Sequence, residues 1–229
     1  MNPMFVIASI LVTIVLLRYV FKIDFKKAQQ LNEQKELEKI TDRFPENKQI
    51  AEEMLEMLDN KSVKIEEQQN TATSLYIAVT NKILIADLKN NYARIQTIAH
   101  ECLHSIQDKR LLMFNFIFSN IFIIFWIVMS ILTITKVITD TATIMFALLL
   151  FTLIKIIIRG YLETDAMTKS RYLAEKYINK KNITSKEETE KLLKQYDEIN
   201  KLGVPFTIIR ILLNPLIEII LYAVIALVI

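Results

Sequence analysis

The chain has 229 residues, enough for one ordinary domain, but 52% of them are hydrophobic while 23% are still charged, and its mean hydropathy is +0.31. Those two populations must be segregated, as membrane spans alternating with polar parts. The single cysteine, Cys102, excludes an internal disulfide framework and a cysteine-rich zinc finger. A net charge of +3, with lysines interleaved among glutamates rather than clustered with aromatics, excludes a nucleic-acid partner.

The first apolar run, Met4 to Val20, is about long enough to cross a bilayer. The basic residues Arg18, Lys22, Lys26 and Lys27 follow it rather than precede it, so it reads as a permanent anchor and not as a cleaved signal peptide. The positive-inside rule then places the N-terminus outside and the chain from Phe21 onward in the cytoplasm. Helical spacing predicts amphipathic helices over Phe25 to Ile40 and Asn47 to Leu58, where Ile50, Met54, Leu55 and Leu58 share a face. "SVKIEE", "SLYIAV" and "KILIAD" read as strands of a small antiparallel sheet, with a turn at Thr80 to Lys82. A helix over Arg94 to Lys109 follows.

From Leu111 to Ile158 the chain is almost continuously apolar, broken once at "TKVITDT"; this predicts a transmembrane hairpin over about 112–134 and 141–159. The block from Tyr161 to Leu202 reads as cytoplasmic helices, with Ser185 or Thr184 as a cap, Glu188 in the first turn and Gly203 as a stop. Val204 to Ile229 makes a fourth span with an outside C-terminus. Gly160 and Gly203 are expected at hinges or helix ends. The parts are therefore an anchor (1–22), a cytoplasmic α+β part (23–110), a hairpin (111–159), a helical part (160–203) and a last span (204–229), in a multi-pass protein of the cell membrane. Asn115, Asn120, Lys155, Arg210, Asn214 and Glu218 fall within spans, where polar groups are costly, so some must line a polar interior or snorkel; Arg210 is the expected partner of Glu218.

The chemistry sits in His100-Glu101-Cys102-Leu103-His104, an H-E-x-x-H pattern. Residues four apart share a helix face, so both imidazoles can hold one Zn²⁺, and Glu101 can act as general base on a water that the zinc acidifies. The chain has two histidines in all and both are here; chance would arrange them so in roughly one random sequence in a thousand, which separates the motif from coincidence. A catalytic zinc takes three protein ligands, and with no third histidine the last is a carboxylate. Glu163 in "GYLETDAMTKS" is the candidate and Asp165 its rival, the other of the two serving to orient a histidine or cap a helix. Oxyanion donors are sought nearby among Tyr161, Arg171, Tyr172 and Tyr177, with Arg171 and Tyr172 ranked first. The strands "SLYIAVTNKILIAD" read equally as a substrate-binding edge and as plain core, and Cys102 reads as a buried structural thiol.

"HECLHSIQ" (His100, Glu101, His104, Gln107) followed, after a transmembrane hairpin, by "ETDA" (Glu163, Asp165, Ala166) resembles the neutral zinc metallopeptidases of bacterial membranes. More distantly it is similar to the type-I CAAX prenyl proteases and the heat-shock membrane zinc protease. The likeness covers roughly Leu75 to Tyr177. It implies a gluzincin: one zinc on His100, His104 and Glu163, with Glu101 as base. Asp165 and Gln107 are the residues expected to orient the ligands. The expected fold is a mainly α membrane protein, four transmembrane helices with a small cytoplasmic α+β zincin-like part. The expected activity is hydrolysis of membrane proteins or membrane-associated peptides. A non-catalytic scaffold tied together by zinc is the competing class, although a structural zinc normally takes four ligands and needs no neighbouring base. A transporter finds little support in four spans without repeat symmetry.

Overall fold

The computed structural model describes residues 2–20, 34–68, 71, 73–88 and 91–229. The chain is mainly helical: α1 (Pro3–Val20), α2 (Lys35–Thr41), α3 (Asn47–Met57), α4 (Arg94–His104), α5 (Lys109–Ile134), α6 (Thr141–Lys181) and α7 (Lys186–Val228), with strands β1 (Lys64–Glu67), β2 (Leu75–Ile77) and β3 (Lys82–Ile85). Among the described residues three helices, α5, α6 and α7, are long and apolar enough to cross a membrane. The N-terminal run is helical too, but its apolar stretch, Pro3–Leu17, is shorter. The expected helix over 25–40 lies partly outside the described residues; its described end is α2.

Two compact units emerge. An apolar one draws on Met1–Ile23, Phe114–Tyr161 and Pro205–Ile229, a polar one on Asp24–Met113 and Leu162–Val204. In the apolar unit, Val6, Ile10, Phe122, Met145, Leu148, Leu216, Ile219, Tyr222 and Ala223 form one buried cluster. Some polar groups there find partners on another helix: the Trp126 indole N–H donates to the Glu218 carbonyl at 2.7 Å, and the Thr133 and Tyr222 hydroxyls meet at 2.9 Å. The interruption between α5 and α6 is built from a helix stop, with Lys136 at φ 59° and the Val137 N–H on the Leu132 carbonyl, and a helix start, with Asp140 accepting from Thr143. The charge acting on Glu218 is Lys155 rather than Arg210, which is exposed; Lys155 is itself buried, with its ammonium 5.0 Å from the centre of the Phe122 ring.

The glycines depart from expectation. Gly160 lies inside α6 and Gly203 inside α7, so neither is a hinge or a stop. A Cβ on Gly160 would come within 3.1 Å of Ile208 Cδ1, and one on Gly203 within 2.7 Å of Met167 Cε, so both glycines mark close approach between helices. Helix α7 runs through Gly203, Pro205 and Pro215 as one element. Its start fits expectation: Ser185 caps it, its N–H reaching Glu188 Oε2 at 2.8 Å while its Oγ accepts from the Glu188 N–H at 3.2 Å.

In the polar unit the sheet has the order β1-β3-β2, and it is mixed rather than antiparallel. β2 and β3 form the expected hairpin, Tyr76 opposite Ile83, turning through Asn81 at φ 49°. β1 instead runs parallel to β3, with Ile65 opposite Ile83, because α3 precedes it and delivers it from the other end. The α3 face of Ile50, Met54 and Leu55 is buried as its spacing predicts.

Candidate metal centre

Helix α4 carries the H-E-x-x-H residues, and its orientation follows from burial. Ile95, Ile98, Ala99 and Cys102, spaced three and four apart, are fully buried, which turns the opposite stripe of His100 and His104 toward the site. Cys102 is the buried structural thiol expected, its Sγ 3.8 Å from the Ala51 carbonyl, with its pKa driven upward by burial. The N-terminal end of α4 is held by Arg94, a buried guanidinium that donates to the carbonyls of Thr41, Phe44 and Pro45 and to Asn47 Oδ1 at 2.6–3.0 Å.

One helical turn apart, the two imidazoles stand edge to face with centroids 4.6 Å apart, and their Nε2 atoms approach to 3.0 Å. Glu163 on α6 completes the group: its Oε2 lies 3.5 Å from His100 Nε2 and 3.7 Å from His104 Nε2. One ligand atom from each of the three falls within 4.8 Å of the others, close enough to hold a metal ion. Between Glu163 and Asp165, left open by the sequence, the geometry groups Glu163 with the histidines.

Asp165 is engaged elsewhere, with Lys169 at 2.5 Å and the Gln107 amide at 3.1 Å. Gln107 itself lies beyond the end of α4. Its Oε1 is 2.8 Å from His104 Nδ1, and its Nε2 donates to the Leu162 carbonyl at 2.8 Å as well as to Asp165 Oδ2. Helix α4 ends at His104, short of the expected Lys109. The Ser105 hydroxyl takes the Cys102 carbonyl at 2.6 Å and Asp108 caps α5 through the Arg110 N–H, so the motif helix stops and a new helix starts before the apolar run.

Charges at the site respond to these contacts. Burial alone would raise the pKa of Glu163, but the imidazoles of His100 and His104 beside it hold it well below the carboxylate range. Burial likewise would lower that of His104, yet the Glu163 carboxylate, with the charge of Glu101, raises it. Glu101, 6% exposed, is raised by burial against the pull of both histidines and of the Tyr76 N–H, which donates to its Oε2 at 2.7 Å. Tyr76 is the residue sequence reasoning missed. Its contribution is a backbone group, and the available signal was the placement of "SLYIAV" beside the motif.

The ranked oxyanion donors are not brought to the triad. Arg171 lies eight residues beyond Glu163 on α6, about 12 Å along the axis, and it bonds Asp197 at 3.1 Å and Glu175. Tyr172 is exposed, stacked under the Arg171 guanidinium. Tyr177 is buried with its hydroxyl on Glu53 at 2.7 Å, and Tyr161 is exposed. No family model, no curated protein and no solved structure matches the chain.

Proposed function

We propose that this chain is a membrane-embedded zinc endopeptidase acting on membrane proteins or membrane-associated peptides. The convergence of His100, His104 and Glu163 beside Glu101 carries the reading. Around a tetrahedral zinc with bonds of about 2.0–2.1 Å, ligand atoms lie about 3.3 Å apart. The separations of 3.0, 3.5 and 3.7 Å bracket that value, and two imidazole nitrogens with one carboxylate leave a fourth position open, as catalysis requires. Zinc held there would polarise a peptide carbonyl and acidify water.

The other steps belong to the chain. Glu101 has one oxygen fixed by the Tyr76 N–H; the other is free to take a proton from water attacking the peptide carbon. Burial raises its pKa, which makes it the stronger base and, once protonated, lets it hand the proton to the amine that leaves as the C–N bond breaks. Glu163 supplies negative charge to the ligand set, and Gln107 holds His104 from behind. Four spans, with a cytoplasmic site and both termini outside, are the topology we infer from the distribution of basic residues.

The test is zinc content and cleavage of a membrane-protein reporter, measured together on detergent-purified wild type, Glu101→Gln and Glu163→Ala. Wild type should hold about one zinc and cleave. Glu101→Gln should keep the metal and lose about 10²–10⁴-fold in rate, the usual contribution of a general base, while Glu163→Ala should lose the metal. Zinc retained with no cleavage by wild type would favour the scaffold reading instead.

A further inference from the structure

We infer that Gln107 is the positioning residue of this centre: it selects the His104 tautomer that leaves Nε2 free for a metal, and it clamps the histidine helix to the helix that carries Glu163. The inference rests on the metal-site reading for its consequence, though its geometry stands apart from any ion.

A glutamine side chain has two ends with opposite roles, and here its orientation is determined. The Leu162 carbonyl can only accept, so the group 2.8 Å from it must be the Gln107 NH₂. Asp165 Oδ2, 3.1 Å from the same nitrogen, takes the second N–H as an acceptor. With both donors spent on α6, the end facing His104 Nδ1 at 2.8 Å is the carbonyl oxygen, which can only accept. His104 must therefore carry its proton on Nδ1, and its Nε2 lone pair points to His100 and Glu163.

The same three bonds tie the turn after α4 to Leu162 and Asp165, the residues on either side of Glu163 within two positions. One amide thus sets the protonation site of one ligand and the placement of another. It also fits the division of labour in "ETDA": Asp165 orients Gln107 and pairs with Lys169, while Glu163 faces the two histidines.

The experiment uses the full-length protein in detergent and three readouts. Zinc affinity is measured by chelator competition for wild type, Gln107→Ala and Asp165→Asn. Histidine ¹⁵N shifts are recorded on the metal-free protein at a pH where the ring is neutral. Loss of a group behind a metal-bound histidine typically costs 10–100-fold in affinity, and that loss is expected for Gln107→Ala. Asp165→Asn keeps an acceptor for the amide and should stay within about threefold of wild type. Thermal unfolding of Gln107→Ala in detergent, recorded beside its affinity, separates loss of this positioning contact from a defect in folding. The ¹⁵N shifts should report Nδ1–H in wild type and a tautomer mixture in Gln107→Ala. Unchanged affinity in Gln107→Ala, or the same tautomer in both proteins, would overturn the inference. A wild type that binds no zinc but shows the Nδ1–H lock would instead refute the metal reading and leave the positioning role standing.

Discussion

Metal binding at this centre has to displace protons, and the direction of the pH effect follows from the contacts of His104. Its pKa is raised above the ordinary value of 6.5 because the Glu163 carboxylate and the charge of Glu101 outweigh burial. In the metal-free protein near pH 6 the ring is therefore largely protonated on the nitrogen that the metal needs. Glu163, held far below the carboxylate range, is ionised throughout and contributes no proton. Each pH unit below the folded pKa of His104 then costs tenfold in metal affinity, about 1.4 kcal/mol. Log affinity should therefore rise with pH, approaching a slope of about +1 well below the folded pKa of His104 and flattening above it, with the break above pH 6.5. Glu101, raised in the same site, adds to the slope where it is still protonated. Zinc titration against a competing chelator at pH 5.0, 5.5, 6.0, 6.5, 7.5 and 8.0 measures this directly. In Glu163→Gln the charge that raises His104 is gone, so the break in the curve should move to lower pH while overall affinity falls. Affinity that stays flat from pH 5.0 to 6.5 in wild type would refute the assignment of His104 as the proton-carrying ligand.

Three further outcomes test the scaffold around the site. Lys155→Met removes the charge that acts on Glu218, whose Oε2 is buried without a hydrogen-bond partner, and should destabilise the apolar unit by roughly 2–3 kcal/mol; adding Glu218→Gln should restore most of it, read as thermal unfolding in detergent. Arg94→Met leaves the Thr41, Phe44 and Pro45 carbonyls without their guanidinium donor, so a loss of about 4 kcal/mol is expected in denaturant unfolding. Ser185→Ala deletes half of a reciprocal cap and should cost about 1 kcal/mol with metal affinity unchanged, measured by the same two assays.

What could be read from the residues divides along a physical line. Side-chain periodicity is local, so the buried face of α3, the strand pair around Asn81 and the alignment of His100 with His104 were all legible. Elimination left a carboxylate, since two histidines alone cannot fill a catalytic zinc site, and the gluzincin-like pattern with the place of Glu163 and Asp165 just after the third apolar run narrowed it to those two. Glu163 against Asp165 is decided by which oxygen faces the ring nitrogens, a question of three dimensions. Strand direction was illegible for the same reason: "SVKIEE" looks alike in parallel and antiparallel pairing, and the path of α3 chooses. The glycines misled because the weak helix propensity of glycine was allowed to outweigh packing; in long apolar helices a missing Cβ is as often room for a neighbour, here Ile208 and Met167, as a place to stop. The Tyr76 N–H belongs to a harder class, since every residue but proline carries that donor and no side-chain pattern marks the one aimed at a carboxylate. The break after His104 was not read from the sequence, which ran the helix on to Lys109; Ser105 and Asp108 make it, a back-bonding hydroxyl and a cap within four residues. That break leaves Gln107 outside regular helix, where its side chain can turn back to His104 while its amide reaches across to α6. Had α4 continued through Lys109 as its composition suggested, Gln107 would have been held three residues along the same helix as His104. The interruption is therefore part of how the centre is assembled.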